Sequence, residues 1–84
     1  MKVINIDKSA QKEIERVDAT MRQRLIVGIA GLVKEPPQGN IKPLTGALQG
    51  FSRLRIGGWR ITYEITETAV NILNISPRGS AYKK

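Results

Sequence analysis

The sequence predicts an α+β fold of order β-α-α-β-β-β, with two N-terminal helices packed on one face of an antiparallel four-stranded sheet. Three observations carry that prediction. Apolar residues recur at helical spacing between positions 10 and 33, and from position 51 onward they alternate with polar ones. Between the two regions, K-E-P-P-Q-G-N (34–40) is a helix stop that no regular element crosses easily.

Each element follows from its residues. K-V-I-N-I (2–6) is rich in β-branched side chains and reads as the first strand. Asp7 or Ser9 caps a helix whose Ala10, Ile14 and Val17 share one face. V-D-A-T interrupts it, and Asp18 or Thr20 starts a second helix over 19–34. There Met21, Leu25, Ile29 and Leu32 form the stripe, and Ile26 and Val33 widen it. Gly28 and Gly31 each weaken that helix by about 1 kcal/mol relative to Ala, but let it lie close on a sheet. I-K-P-L-T-G-A-L-Q-G (41–50) contains Pro43, Gly46 and Gly50, and reads as an irregular linker with Leu44 and Leu48 against the core. F-S-R-L-R-I (51–56) and W-R-I-T-Y-E-I (59–65) both alternate, and Gly57-Gly58 joins them as a tight hairpin. V-N-I-L-N-I (70–75) follows the turn around T-E-T.

Eighty-four residues with 40% hydrophobic content suit one domain spanning 1–84. No run of about 18 apolar residues is present, so no membrane partner is expected. M-K-V-I-N-I-D-K turns polar too early for a signal peptide, which makes a cytoplasmic protein the expectation. The absence of cysteine excludes a disulfide framework and thiolate metal ligation. The absence of histidine removes the usual neutral-pH acid–base group and every Ser-His nucleophile arrangement. With seven acidic residues and no clustered carboxylates, neither a two-metal centre nor any other cofactor is expected.

The net charge is +7, and it is unevenly placed. Residues 1–40 carry seven basic and five acidic side chains, whereas 41–84 carry seven basic and only two acidic. That asymmetry points to a polyanion met by the C-terminal half, with nucleic acid as the first candidate. Strand parity sharpens it. If Trp59, Ile61, Tyr63 and Ile65 face the core with Leu54 and Ile56, then Arg53, Arg55 and Arg60 project from the opposite face, together with Thr62 and Glu64. Arg78 lies just beyond the last strand, after Pro77, and Tyr82 follows four residues later. Guanidinium groups suit bidentate phosphate binding and base stacking. Lys42, Lys83 and Lys84 are further candidates for RNA contact.

The run F-S-R-L-R-I-G-G-W-R-I-T-Y-E-I, with L-T-G upstream and I-S-P-R-G-S-A-Y-K downstream, resembles the RelE/ParE toxin superfamily, in its RelE-like mRNA interferase branch. The resemblance covers nearly the whole chain and implies the RelE-like microbial ribonuclease fold. It implies the toxin of a type II toxin–antitoxin pair: a ribosome-dependent, metal-independent endoribonuclease that cuts mRNA by 2′-hydroxyl attack. Carried over to this sequence, Arg53 and Arg55 take the two basic strand positions and Arg60 contacts the scissile phosphate. Arg78 protonates the leaving 5′-oxygen, and Tyr82 stacks on the substrate. Arginine does not lose its proton, so the general base is open, with Glu64 and Tyr82 as candidates; an ion pair with a neighbouring arginine is the other reading of Glu64. The implied partners are a cognate antitoxin, the ribosome and mRNA, with operator DNA met only through the antitoxin complex. Two alternatives stand beside this: a ParE-like poison of DNA gyrase, and a non-catalytic nucleic-acid-binding member of the same fold.

Overall fold

The computed structural model describes residues 2–77. The chain runs β1 (Val3–Ile6), α1 (Lys8–Arg16), α2 (Ala19–Gly31), β2 (Asn40–Pro43), a 3₁₀ turn (Gly46–Leu48), β3 (Ser52–Ile56), β4 (Trp59–Ile65) and β5 (Ala69–Pro77). The class is α+β as expected. The sheet, however, has five strands rather than four, and it is mixed rather than wholly antiparallel, in the order β1-β5-β4-β3-β2.

Both differences have one cause. Residues 40–43, expected as linker, pair antiparallel with β3, with Ile41 opposite Leu54 and Lys42 opposite Arg53. Pro43 argued against a strand there, but β2 lies at the sheet edge, where a missing N–H is tolerated. Four strands then meander antiparallel from β2 back to β5, and that count sets the direction in which β5 arrives beside β1. The pair is parallel, with Val3 opposite Ala69 and Ile6 opposite Ile72.

The helix starts resolve as local chemistry requires. Asp7 is the N-cap residue of α1 and Asp18 that of α2, where its carboxylate accepts the Met21 N–H at 2.7 Å. α2 ends at Gly31, three residues before the sequence reading placed its end. The Gly31 carbonyl instead accepts the N–H of Gln38 at 3.1 Å, which folds the proline-containing segment back on the helix end. Gly28 faces β3 so closely that an added Cβ would collide with the Ile56 side chain. The close packing on the sheet that the sequence suggested for Gly28 and Gly31 is present at Gly28 alone; Gly31 faces Gln38 of the following segment.

The core lies between the helices and one face of the sheet. Leu25, Ile29 and Leu32 from α2 and its end meet Leu54, Ile61, Tyr63, Val70, Ile72 and Ile75, with Ala10 from α1. β4 is the central strand, and its Ile61 and Tyr63 are buried. β5 carries a bulge: Thr62 lies opposite Asn74 and Tyr63 opposite Ile72, so Leu73 is the extra residue. The bulge lets Val70, Ile72 and Ile75 all turn to the core although their spacing breaks period two. Among the described residues no helix is long and apolar enough to cross a membrane.

One side chain ties the helices together. Arg22 donates from Nε to the Ile14 carbonyl at 3.1 Å, and from Nη2 to the Glu15 and Val17 carbonyls at 3.2 and 3.1 Å. These are the orphan acceptors at the end of α1, so an arginine of α2 caps its neighbour. Arg22 belongs to α2, and its acceptors lie five to eight residues earlier, at the end of α1.

Arg22→Ala is expected to lower unfolding free energy by about 1–2 kcal/mol, toward the lower end for hydrogen bonds to a charged group because Arg22 is partly exposed. Urea titration followed by circular dichroism measures it, and an unchanged midpoint would refute the capping role. A second expectation concerns alkali. Burial pushes the Tyr63 phenol above its ordinary value of 10.0, and a side-chain hydrogen bond with Ser52 opposes the push. A phenol with a raised folded pKa stabilises the fold fully below the unfolded value and loses that contribution as pH climbs through the folded one. Wild type should therefore lose stability above about pH 10 more steeply than Tyr63→Phe, which has no proton to release there. Melting temperatures of both proteins between pH 8 and pH 11 test this.

Candidate nucleic-acid interface

The parity that turns one face of β4 to the helices turns the other away from them. Leu54 opposite Ile61 fixes the register of β3 on β4, and places Arg55 directly opposite Arg60 and Arg53 opposite Thr62. β2 extends the row, with Asn40 opposite Arg55 and Lys42 opposite Arg53. Lys42, Arg53, Arg55 and Arg60 therefore share the face that carries no helix. The expected grouping of Arg53, Arg55 and Arg60 is present in the geometry. Arg78, Tyr82, Lys83 and Lys84 lie outside the described residues.

The four side chains surround a pocket of about 340 Å³, closed on one side by residues 42–45. Thr45 adds a hydroxyl to its wall. Arg60 is 5% exposed and forms the floor, being on the central strand, while Arg53 and Arg55 are half-buried on its flank. Arg53 Nη1 donates to the Asn40 carbonyl at 3.4 Å, which turns its guanidinium toward β2. Two like-charged cross-strand pairs, Arg55 with Arg60 and Lys42 with Arg53, stand side by side. Like charges directly opposite are unfavourable, at about 1 kcal/mol for 4 Å in water and several times that at lower effective dielectric. An anion seated between them is attracted by both pairs at once. A phosphodiester, with two charge-sharing oxygens, matches a fork of guanidinium donors.

Glu64 is elsewhere. Its carboxylate accepts from Asn71 Nδ2 at 3.0 Å, and Asn71 Oδ1 in turn accepts from Asn5 Nδ2 at 2.9 Å. This draws Glu64 toward β5 and β1, away from the β2–β3 side where the arginine pocket opens. Among the described residues Glu64 makes this amide contact and no ion pair. The row of Asn5, Asn71 and Glu64 escaped the sequence reading. Its signal was present as polar residues in alternate positions of three strands, but aligning them needs the parallel register of β1 on β5 and the bulge at Leu73.

With this geometry in place, the likeness to known proteins is informative. A family model described as the ParE toxin of a type II toxin–antitoxin system, parDE, matches residues 4–82. No curated protein sequence matches the chain significantly. Several solved structures share the fold. The toxin–antitoxin complex RelBE2 of Mycobacterium tuberculosis is 23% identical at a TM-score of 0.77, covering 92% of this chain and 98% of that one. A YoeB/ParE toxin from Agrobacterium tumefaciens is 22% identical at a TM-score of 0.76, covering 93% and 99%. The intact RelBE toxin–antitoxin complex of E. coli is 15% identical at a TM-score of 0.75, covering 95% and 99%.

If the pocket grips a phosphate backbone, binding of a single-stranded RNA must be salt-dependent, and loss of one contact must flatten that dependence. Lys42→Ala or Arg55→Ala should each reduce the slope of log affinity against log salt by about 0.7. Arg16→Ala, on α1 and paired with Glu13 at 3.4 Å, should leave it unchanged. Equal effects from all three, in fluorescence anisotropy titrations, would mean diffuse attraction and no pocket.

Proposed function

This chain belongs to the ParE toxin family of type II toxin–antitoxin systems, and from its arginine pocket on the open sheet face we propose that it acts as a metal-independent endoribonuclease on mRNA. The observation that carries the reading is the convergence of Lys42, Arg53, Arg55 and Arg60 on one pocket. Four cations around one point suit a group with two charge-sharing oxygens such as a phosphodiester.

The reaction is an internal transfer. The 2′-hydroxyl oxygen bonds to the adjacent phosphorus as a solvent water takes its proton, the bond to the 5′-oxygen breaks, and that oxygen takes up a proton. The products are a cyclic 2′,3′-phosphate and a free 5′-hydroxyl. The phosphorane-like state carries more negative charge than the diester. Preorganised guanidinium groups stabilise that increment, each by a few kcal/mol. Arg60, held on the central strand, contacts the scissile phosphate, with Arg53 and Arg55 beside it. Arg78 supplies the proton to the 5′-oxygen, and Tyr82 stacks on a base. No arginine rests in its neutral form at a working pH, so Arg53 and Arg55 act by charge and not as bases, whereas the departing 5′-oxygen, an alkoxide more basic than neutral guanidine, takes its proton from Arg78.

In-line attack needs a contorted RNA, and a shallow open face supplies little distortion. A ribosome holding the message would provide it, so cleavage of free RNA should be weak. The partner that neutralises the chain is a cognate antitoxin, as in the structurally similar toxin–antitoxin complexes, and operator DNA is met only through that assembly. A second reading, a poison of DNA gyrase, is favoured by one observation: the matching family model is that of ParE toxins.

Induction without antitoxin, followed by primer extension of mRNA, separates the two. Cuts within codons are expected, and Arg60→Lys or Arg55→Ala should lower cutting by about 10²–10³-fold, the usual effect of losing one transition-state donor. Growth arrest with intact mRNA and accumulating DNA breaks would refute the ribonuclease and support the gyrase poison.

A further inference from the structure

The open face is divided. Its β2–β3 side carries the cations of the arginine pocket, whereas its β5–β1 side carries amides and carboxylates. There a second pocket of about 260 Å³ is lined by Asn5, Asp7, Glu64, Asn71 and the bulge residue Leu73, with no basic side chain. In a chain of net charge +7 this is an unusual place. It has nothing to offer a phosphate and much to offer a group rich in N–H donors.

Glu64 is held for such a role. Asn5 donates to Asn71 Oδ1 at 2.9 Å, which commits the Asn71 amide nitrogen to Glu64 Oε2 at 3.0 Å. The relay spans β1, β5 and β4, so the carboxylate is oriented from two strands away. Oε2 keeps one lone pair and Oε1 keeps two. Glu64 lies diagonally across from Arg53 in the β3–β4 ladder, a Cα separation of about 7–8 Å. A base attached to a sugar whose phosphate sits in the arginine pocket reaches that far.

Phosphate contacts place a nucleic acid without reading it, and sequence is read at base edges. In single-stranded RNA the exposed Watson–Crick edge is the one read. Among the four bases only guanine presents two adjacent donors there, N1–H and the N2 amino group, which a carboxylate accepts together. We propose that the Asn5–Asn71–Glu64 row is a base-reading subsite that selects guanine at a nucleotide next to the scissile phosphate. This rests on the ribonuclease reading above, with Glu64 as the specificity-determining residue and Asn71 and Asn5 as positioning residues.

The test uses the full chain and uridine hexanucleotides carrying one guanosine, one inosine or none, with affinities from fluorescence anisotropy. Inosine keeps N1–H and lacks the amino group. Wild type should bind the guanosine oligomer about tenfold tighter than the uridine one, with inosine between. Glu64→Gln should bring the three within about twofold while all-uridine binding is retained. Melting curves establish that the variant is folded; if it is not, Glu64→Ala and Asn71→Ala carry the same expectation. A merely structural row would change the melting temperature and leave the guanosine-to-uridine ratio alone, and that result overturns the proposal. Wild type that binds all three oligomers equally overturns it too while sparing the ribonuclease reading. Wild type that binds none of them also overturns the proposal, while the ribonuclease reading stands or falls on the mapping of mRNA cuts.

Discussion

The pairing of Leu54 with Ile61 is the constraint on which the rest of the structure depends. Both side chains are buried in the core that α2 shares, and a one-residue slip of β3 on β4 would turn them to solvent and drive arginines into the core. The burial of a few apolar side chains therefore determines which face Arg53, Arg55 and Arg60 occupy. The functional surface is the complement of the hydrophobic one, and neither can be changed without the other. This also explains how Arg55 and Arg60 come to lie opposite each other at some electrostatic cost. The register that sets them there is held by apolar burial, worth about 25 cal/mol for each Å² removed from water.

The same logic extends outward from β4. β2 covers the outer side of β3 and brings Lys42 beside Arg53, so the edge strand supplies both a wall and a charge to the pocket. On the other side, the bulge at Leu73 restores core parity for Ile75 and leaves Asn71 opposite Glu64. β1 then adds Asn5 to that row. The open face thus has a cationic side and an acceptor side because each flank of β4 is recruited from a different part of the chain. The helices stay on the far side, joined by Arg22 at the end of α1.

Much of this was legible beforehand. Alternation in F-S-R-L-R-I and W-R-I-T-Y-E-I, with Gly57-Gly58 between them, named the hairpin and its two faces correctly. Gly57 indeed adopts φ +56°, as the first position of such a turn requires. Both helices were evident from their stripes, while each cap was left between two residues, Asp7 or Ser9 and Asp18 or Thr20, of which the aspartate is the N-cap in both. What failed was β2. A four-residue segment with a proline carries no periodic signal of its own, and it becomes a strand only because β3 offers an edge with unpaired hydrogen-bonding groups. The role of Glu64 failed likewise: its face was read correctly, but its partner belongs to a strand whose register the sequence does not announce.

By itself, the sequence determined the α+β class, the two helices, the central hairpin, the absence of histidine and cysteine chemistry, and the side of the hairpin on which the arginines stand. These follow from local periodicity and composition, which act over a few residues. The tertiary structure decided the fifth strand, the parallel pairing of β1 with β5, the bulge, the capping of α1 by Arg22, and the division of the open face into two chemically opposite pockets. Each of these needs groups distant in the chain to meet, and their meeting is set by how strands align once the core is buried.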